Sequence, residues 1–581
     1  MALVGCMHSS QSTNVSAKNY DSAGKKLHAL LEKDWQRYLR NNPEMSSYLG
    51  DTRYNDRWSD LSLHGIARVN QQDKAVLLQL KNIQYDALSK QDKINYDLFK
   101  WQIESAVNEY KYSPFLMPIN QLEGVQSIYQ YADFFTFNNY QDYQNWLKRL
   151  QALPQLIEQT TTLMKAGIKQ GVLPPAITIS RIPAQVKQHL VSHAKESVYF
   201  AKFNAFPKNI DKHQQQQLLE QATTVIQHEI TPAYQKFYDF LESEYLPACR
   251  NTAGIWDLTD GKAYYQFLIN YYTTTTLTAD EIHEIGLKEV TRNRAEMEQV
   301  IDEVKFEGSF QQFLTFLRTD PQFYYQTPEA LLEAYQAVSK RLDPHLPKLF
   351  GKLPRMPYGV IPIPDSMAPD ETTAYYSGPS ADGTRAGYYY VNLYLPESRP
   401  KYEIEVLSVH EAVPGHHLQV ALQMELGELP KFRRFLDFTV FTEGWGLYSE
   451  RLGYDMGLYS DPYSRFGQLT YDMWRAVRLV VDTGIHHKGW TRKQAIDYFM
   501  ANAAKSEQDI INEIDRYISW PGQALAYKIG QLKILALREK AEKTLGDKFD
   551  IRSFHDTVLG SGSIPLNVLE DNVEQWIESK Q

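Results

Sequence analysis

Apolar residues recur at helical spacing along most of the chain. From Lys25 to Arg40 they lie on one face of a predicted helix, which ends at Asn41-Asn42-Pro43. We therefore predict a mainly α-helical fold. Similar patterns predict further helices over about 70–110, 141–170, 184–203 and 212–244.

Helix-capping signals mark helix starts in the second half of the chain. A Thr or Ser followed three residues later by Glu or Gln satisfies backbone N–H groups at a helix start, and proline is favoured at the first helical position. Such signals predict three helix starts, at Thr278 with Glu281, at Thr327 with Pro328, and at Thr491 with Gln494.

The segment over 353–400 departs from the helical pattern. It is rich in proline and glycine, and within it the stretch 387–394 is aromatic and β-prone. We predict a strand over 387–394, in which Tyr390 and Asn392 share one face. The chain is thus expected to combine a large helical fold with a small β element.

No internal repeat or linker divides the chain into independent domains. We predict a helical N-terminal lobe over 21–345 and a second lobe over 346–581. The two lobes are expected to form one continuous structural unit.

Composition and charge exclude several classes of protein. The net charge of −9 argues against a general nucleic-acid binder, which would show a basic face. Two cysteines in 581 residues exclude a disulfide scaffold and a cysteine-rich metal cluster. No run of 18 apolar residues occurs, so no transmembrane helix is predicted. The 39 tyrosines favour wet, polar-lined clefts over a uniformly dry core.

The first residues suggest a location. Leu3-Val4-Gly5-Cys6 resembles the cleavage box of bacterial lipoproteins, and the rest of 1–20 resembles a flexible tether. This resemblance implies the periplasmic side of the bacterial envelope, with a lipid on Cys6 as the membrane attachment. The alternative is a disordered terminus with a chance cysteine, because a signal peptide needs more apolar residues than the five before Cys6. Cys249 is then expected to be a lone, buried thiol.

The stretch His410-Glu411-Ala412-Val413-Pro414-Gly415-His416-His417 carries the main candidate chemistry. Familiar zinc helices place two histidines at i and i+4, but i+4 from His410 is Pro414. On an unbroken helix His416 would lie about 120° off the face and about 9 Å away. Proline removes a helical hydrogen bond and glycine permits unusual dihedral angles. We predict a break at 414–415 that folds His416 back over His410.

A third metal ligand is expected from a second predicted helix. Glu443 follows His416 by 27 residues, which is enough for a turn and an antiparallel helix. Two imidazoles and one carboxylate form a common catalytic zinc set that leaves a fourth position open. Glu450 lies on about the same face as Glu443, either to support a ligand or to form a surface ion pair.

Together these motifs resemble a known bacterial family. His-Glu-x-x-Pro-Gly-His at 410–416, followed by Thr-Glu-Gly-Trp-Gly-Leu-Tyr at 442–448, is similar to the family catalogued as domain of unknown function 885, over about 25–578. That family is regarded as zinc-peptidase-like and distantly similar to the helical angiotensin-converting-enzyme and oligoendopeptidase group. The resemblance implies a gluzincin-like helical fold with a deep cleft and one zinc ion per chain.

The resemblance also assigns roles at the metal. The residue after Pro-Gly-His varies in the family, which favours His416 over His417 as a ligand. By analogy with the helical peptidases, His486 and Tyr527 are expected to donate to the oxyanion. The metal ligands and the general base carried over from the family are His410, His416 and Glu443 for zinc, and Glu411 for the base.

Further residues are expected to hold the substrate. Arg478 and Lys528 are candidates to bind a substrate carboxylate. An edge strand at 387–394 could pair with an extended peptide through main-chain hydrogen bonds, with Tyr390 and Asn392 as contacts.

These expectations define a zinc-dependent peptidase that hydrolyses short peptides, either an oligopeptidase or a carboxypeptidase. One alternative is a non-catalytic envelope lipoprotein that binds peptides or metal, and another is a zinc amidase acting on non-peptide amides. Glu411 favours an enzyme, because a pure binding protein has no need of a carboxylate beside its first ligand. No nucleic acid and no obligate protein partner are expected.

Overall fold

The structure, a computed structural model, describes residues 22–581 except 366–367, 369–370, 380–382, 384 and 428. The predicted tether over 1–20, including Cys6, lies outside the described residues. Helices predominate, and the described residues form a sheet of three short strands. The predicted mainly α-helical class is confirmed.

The described residues of the first part of the chain form ten α-helices. Residues 212–248 are nearly continuous, because π turns at Ile226–Ile230 and Leu241–Tyr245 join three of them. Each π turn leads into a helix with proline in its first turn, which lacks a donor for the usual hydrogen bond. The ten are α1 (Ser22–Asn41), α2 (Pro43–Tyr48), α3 (Leu63–Lys81), α4 (Lys90–Glu109), α5 (Tyr140–Gln170), α6 (Ala176–Ile179), α7 (Ile182–Lys187), α8 (Lys212–Val225), α9 (Thr231–Phe240) and α10 (Leu246–Ala248).

Most helices predicted in this part are present, with two corrections. The pattern over 70–110 is divided between α3 and α4 by a turn that ends at the N-cap Ser89. The helix predicted over 184–203 is wrong, because the described residues form only α7, a 3₁₀ turn at Ala194–Glu196 and a 3₁₀ helix at Val198–Asn204 there. Tyr199, Phe200 and Phe203 of that 3₁₀ helix are buried, so their apolar spacing serves packing without an α-helix.

The middle of the chain carries five more helices and the sheet. The predicted capping box of Thr278 and Glu281 is present at the start of α12. The helices are α11 (Gly261–Thr273), α12 (Ala279–Glu303), α13 (Phe310–Thr319), α14 (Pro328–Leu342) and α15 (Leu346–Leu349), and the strands are β1 (Tyr358–Pro362), β2 (Ala374–Ser377) and β3 (Gly387–Val391).

The strand predicted over 387–394 forms, but it ends at Val391 and lies in the centre of the sheet. The strand order is β1-β3-β2, with β1 parallel and β2 antiparallel to β3. Both neighbours of β3 are therefore occupied, and β2 is an edge strand. The interpretation of 387–394 as an edge strand was wrong.

Ten helices complete the chain and carry the candidate chemistry. The predicted capping box of Thr491 and Gln494 opens α21. These helices are α16 (Ile404–Glu411), α17 (His416–Glu425), α18 (Lys431–Phe435), α19 (Thr439–Asp455), α20 (Pro462–His486), α21 (Arg492–Asn502), α22 (Glu507–Ser519), α23 (Ala526–Leu545), α24 (Ile551–Leu559) and α25 (Leu566–Lys580).

Three hydrophobic clusters hold the fold together. One is built entirely from residues 58–249, including the buried Cys249. The other two each combine residues from before and after 345. Polar contacts reinforce the helix packing, because His283 of α12 contacts Thr483 of α20 at 2.8 Å. None of the helices in the described residues is long and apolar enough to cross a membrane.

Candidate metal centre

A break between α16 and α17 brings His410 and His416 together. Helix α16 ends at Glu411, and α17 begins at His416. The N–H of Gly415 donates to the carbonyl of Val409 at 3.0 Å, so the chain turns back over the end of α16. A Cβ atom on Gly415 would lie 1.9 Å from the carbonyl oxygen of His410, so glycine is needed there. The imidazole rings of His410 and His416 are 4.6 Å apart between centroids.

Glu443 of α19 completes a group of three ligands. Its Oε2 lies 3.6 Å from Nε2 of His410 and 3.5 Å from Nε2 of His416. One ligand atom from each of the three residues lies within 4.8 Å of the others. The structure therefore brings together the three residues predicted as metal ligands.

The donor set fits a zinc ion. Ligand atoms about 2.0–2.1 Å from a tetrahedral zinc lie about 3.4 Å from each other, close to the two distances from Glu443. Oε2 of Glu443 is buried and has no hydrogen-bond partner among the described residues. A buried carboxylate oxygen without a partner is costly, and a cation between the three side chains would satisfy it.

Glu450 supports the first ligand from behind. Its Oε1 lies 2.8 Å from Nδ1 of His410, and both side chains are buried. Metal-binding histidines commonly donate their second ring nitrogen to a carboxylate in this way. Burial alone would lower the pKa of His410, but the nearby carboxylates of Glu443 and Glu450 outweigh it and raise the pKa to about 9. The interpretation of Glu450 as a surface ion pair was wrong.

Glycine and tryptophan of the 442–448 motif shape the contact between the helices. A Cβ atom on Gly446 would lie 3.0 Å from Nε2 of His410, so a side chain there would press on the ligand. Trp445 donates from Nε1 to the carbonyl of Pro414 at 2.8 Å, which ties α19 to the break. The motif therefore both supplies Glu443 and leaves room for the imidazoles.

A cavity of about 360 Å³ opens over the three ligands. Glu411 lines it directly beside the ligands, and burial raises the pKa of its carboxyl group. Tyr527 also lines it, as predicted, and burial raises the pKa of its hydroxyl. The structure thus places the predicted base and one predicted oxyanion donor in the same cavity as the ligands.

Arg478 lines this cavity, but most of its guanidinium group is bound by other residues of the protein. Its Nε donates to the hydroxyl of Tyr517 at 2.8 Å, and its Nη2 donates to Glu513 at 3.1 Å. The guanidinium carbon lies 4.2 Å from the ring centroid of Tyr527. Its Nη1 has no hydrogen-bond partner among the described residues. Arg478 therefore packs against Tyr527 and keeps one nitrogen for a further acceptor.

His486 does not reach the cavity, so its predicted role as an oxyanion donor is corrected. Its Nδ1 accepts a hydrogen bond from the N–H of Ile255 at 3.1 Å, and its Nε2 donates to the carbonyl of Tyr517 at 2.9 Å. Burial lowers its pKa to about 3, so the ring is neutral and structural.

Lys528 is likewise structural, and its predicted contact with a substrate carboxylate is corrected. Its Nζ lies 2.6 Å from Asp472, 3.0 Å from Glu289 and 2.8 Å from the side-chain oxygen of Gln531. The lysine is buried and joins α23 to α12 and α20. Its three donors are used within the protein.

The two substrate contacts predicted within 387–394, Tyr390 and Asn392, are also corrected. Asn392 is fully buried, and its amide donates to the carbonyls of Ala368 and Thr372. Tyr390 stacks on Tyr375 of β2 with ring centroids 4.8 Å apart and does not line the cavity. Asn392 instead holds the segment that leads into β2.

Several cavity residues were missed from the sequence. The cavity is lined by residues 372–376, which include most of β2, a strand at one edge of the sheet. The sequence of this segment is short and contains no recognisable chemical motif, so it did not predict a place in the cavity. Three charged or aromatic residues that line the same cavity also carried none: Trp474, Glu513 and Arg516.

His417 faces away from the ligands. Its Nδ1 lies 2.9 Å from the hydroxyl of Tyr376, and its Nε2 lies 3.0 Å from the carbonyl of Met356. Burial lowers its pKa to about 4. The structure therefore places His416, and not its neighbour, with His410 and Glu443.

Comparison of the sequence with models of protein families assigns the chain to a family. The model of the family described as bacterial protein of unknown function (DUF885) matches residues 43–573. The match covers most of the chain, and the protein belongs to this family. No curated protein matches it significantly.

Solved structures share the fold. Two of them are each described as a “putative lipoprotein”. The structure from Colwellia psychrerythraea is 29% identical, with a TM-score of 0.91, and the match covers 96% of this chain and 100% of that one. The structure from Shewanella oneidensis is 18% identical, with a TM-score of 0.73, and covers 95% and 99% of the two chains. The second likeness shows the fold alone.

Proposed function

We propose that this protein is a zinc-dependent metallopeptidase that hydrolyses short peptides on the periplasmic side of the bacterial envelope. The observation that carries the proposal is the placement of Glu411 in one cavity with His410, His416 and Glu443. A site that only binds metal has no use for a further buried carboxylate beside the ligands. The structure from Colwellia psychrerythraea described as a “putative lipoprotein” supports an envelope location.

His410, His416 and Glu443 would hold the metal. A bound zinc ion supplies Lewis acidity, which polarises a carbonyl group and makes water more acidic. Glu411 then accepts the proton of the attacking water and delivers it to the leaving amine. Burial raises the pKa of Glu411, which favours proton uptake by this carboxylate.

Other residues of the cavity orient the substrate. Tyr527, which lines the cavity, would donate a hydrogen bond to the carbonyl oxygen as negative charge develops on it. The segment 372–376 offers an edge strand along the cavity, to which an extended peptide can add by main-chain hydrogen bonds. The free nitrogen of Arg478 offers a donor to a substrate carbonyl or carboxylate.

Peptide hydrolysis by a Glu411→Gln variant tests the proposal. Wild-type protein loaded with zinc should cleave members of a mixed peptide library, as read by mass spectrometry. The variant should keep its zinc but lose about 10²–10⁴-fold in rate, which is the usual contribution of a general base. Glu298→Gln, an exposed change on α12, is the matched control.

Three other results would point away from a peptidase. Equal cleavage by wild type and Glu411→Gln would remove Glu411 as the base. Zinc and peptide binding without cleavage would favour the non-catalytic binding protein. Cleavage confined to non-peptide amides would favour the amidase.

A further inference from the structure

A second cavity, of about 320 Å³, lies beside the segment that leads into α19. Its walls come from α1, α2, α3, α4, α18 and the residues after α18. Trp35 stacks on Tyr38 on one side and on Phe435 on the other, with ring centroids 5.6 Å apart in both pairs. Phe99 and Phe432 extend this wall. One side of the cavity is therefore aromatic and apolar.

The polar side of the same cavity is acidic. Asp34 and Asp73 share one cation, since each lies 2.6 Å from a nitrogen of Arg37. The carboxylate of Asp437 accepts a hydrogen bond from the hydroxyl of Thr442. No lysine or arginine of the described residues forms an ion pair with Asp437 within 4.0 Å. Three carboxylates therefore line the cavity with one guanidinium.

Asp437 lies between this cavity and the metal centre. Its partner Thr442 directly precedes Glu443 in α19. Asp437 is exposed and lines the cavity, so its charge is accessible to a ligand that enters there.

We propose that this cavity binds the basic side chain of a peptide, with the ammonium or guanidinium group at Asp437. The aliphatic stem of lysine or arginine would lie along the aromatic wall while its charge meets the carboxylates. An apolar side chain would leave Asp437 without a counter-charge, and an anionic one would be repelled. The view that this peptide is a substrate rests on the proposed peptidase function, whereas cation binding does not.

Binding of two matched probes tests the site. N-acetyl-lysinamide and N-acetyl-norleucinamide differ in the ammonium group, and calorimetry in a Glu411→Gln background measures binding without turnover. The lysine probe should bind at least about tenfold more tightly than the norleucine probe. Asp437→Asn should remove this preference, and Asp571→Asn, an exposed change on α25, should keep it.

A second variant acts without removing a charge. Ala106 is an exposed residue of α4 that lines the cavity, so Ala106→Phe should fill it from the rim and weaken lysine binding about tenfold. Equal affinity for both probes, or an unchanged preference in either Asp437→Asn or Ala106→Phe, would overturn the proposal. If the lysine probe is preferred but the wild type cleaves no peptide, the cation site is supported and the proposed peptidase function is wrong. If the wild type cleaves peptides but the lysine probe is not preferred, the peptidase function is supported and the cation site is wrong.

Discussion

Nδ1 of His410 lies 2.8 Å from Oε1 of Glu450, and this contact leaves the opposite ring nitrogen facing Glu443. Glu450 also lies 3.7 Å from Arg475, so its charge is shared between an imidazole and a guanidinium. Because the pair is buried, the orientation of the imidazole depends on a single carboxylate.

Removing this carboxylate should weaken metal binding. Glu450→Ala should lower zinc affinity about 10–100-fold, the usual effect of losing such a supporting contact. Glu450→Gln, which keeps an oxygen acceptor for the imidazole, should restore part of the affinity. Competition with a chromogenic chelator measures both values. Equal affinity in wild type and Glu450→Ala would show that Glu450 does not orient His410.

The close turn at Gly415 makes a second prediction. In Gly415→Ala the new Cβ would meet the carbonyl oxygen of His410 at 1.9 Å, so the turn must open and separate the two histidines. Zinc at 100 times its Kd should stabilise the wild type by about 2.7 kcal/mol and should give Gly415→Ala much less. Thermal unfolding with and without zinc measures this difference.

Gly427→Ala is the control for that experiment, because a Cβ there meets nothing within 4 Å. It should keep the full stabilisation by zinc. A normal zinc response in Gly415→Ala would contradict the idea that the turn sets the distance between the ligands.

Lys528 should contribute to stability and not to substrate binding. Lys528→Met removes the buried cation from Asp472 and Glu289 and leaves them the partly exposed Arg292, so the loss should approach the roughly 3–5 kcal/mol typical of a broken buried pair without exceeding it. Lys533→Met, on the same helix but in a partly exposed pair with Glu570, should cost less than about 1 kcal/mol. Urea unfolding compares the two variants. Unchanged stability in Lys528→Met, with loss of peptide affinity, would restore the predicted role at the substrate.

The buried, neutral His486 should make the free energy of unfolding decrease in acid. Its folded pKa of about 3 lies below the ordinary value of 6.5, so the unfolded chain takes up the proton first. Its contribution to stability is complete above pH 6.5 and is lost as pH falls toward 3. At pH 5 the loss is about 2 kcal/mol. Unfolding at pH 7 and pH 5 should therefore show a larger drop in wild type than in His486→Gln, and equal drops would contradict the neutral, buried ring.

The grouping of His410, His416 and Glu443 was predictable because these residues lie in two short motifs. Pro414 and Gly415 predict the break in the helix, and the spacing from His416 to Glu443 allows a turn and an antiparallel second helix. The surrounding residues were harder, because their partners are distant in sequence. Nothing near Lys528 indicates that Asp472, 56 residues earlier, neutralises it.

The sheet shows the same limit. The aromatic pattern of β3 predicts a strand, but strand order depends on pairing with β1 and β2. Those strands are short, and β2 consists of Ala-Tyr-Tyr-Ser, which has no clear alternation. The position of the free edge therefore could not be predicted, although it decides which backbone faces the cavity.

The proposed peptidase function requires that His410 and His416 bind one zinc ion that is needed for peptide cleavage. Elemental analysis of purified wild type, His410→Ala/His416→Ala and His417→Ala, each also assayed on a mixed peptide library, tests it most directly. We predict about one zinc per chain and cleavage in wild type and His417→Ala, and loss of both in the double variant. Zinc content and cleavage that persist in the double variant, or a folded wild type that binds no zinc, would contradict the account.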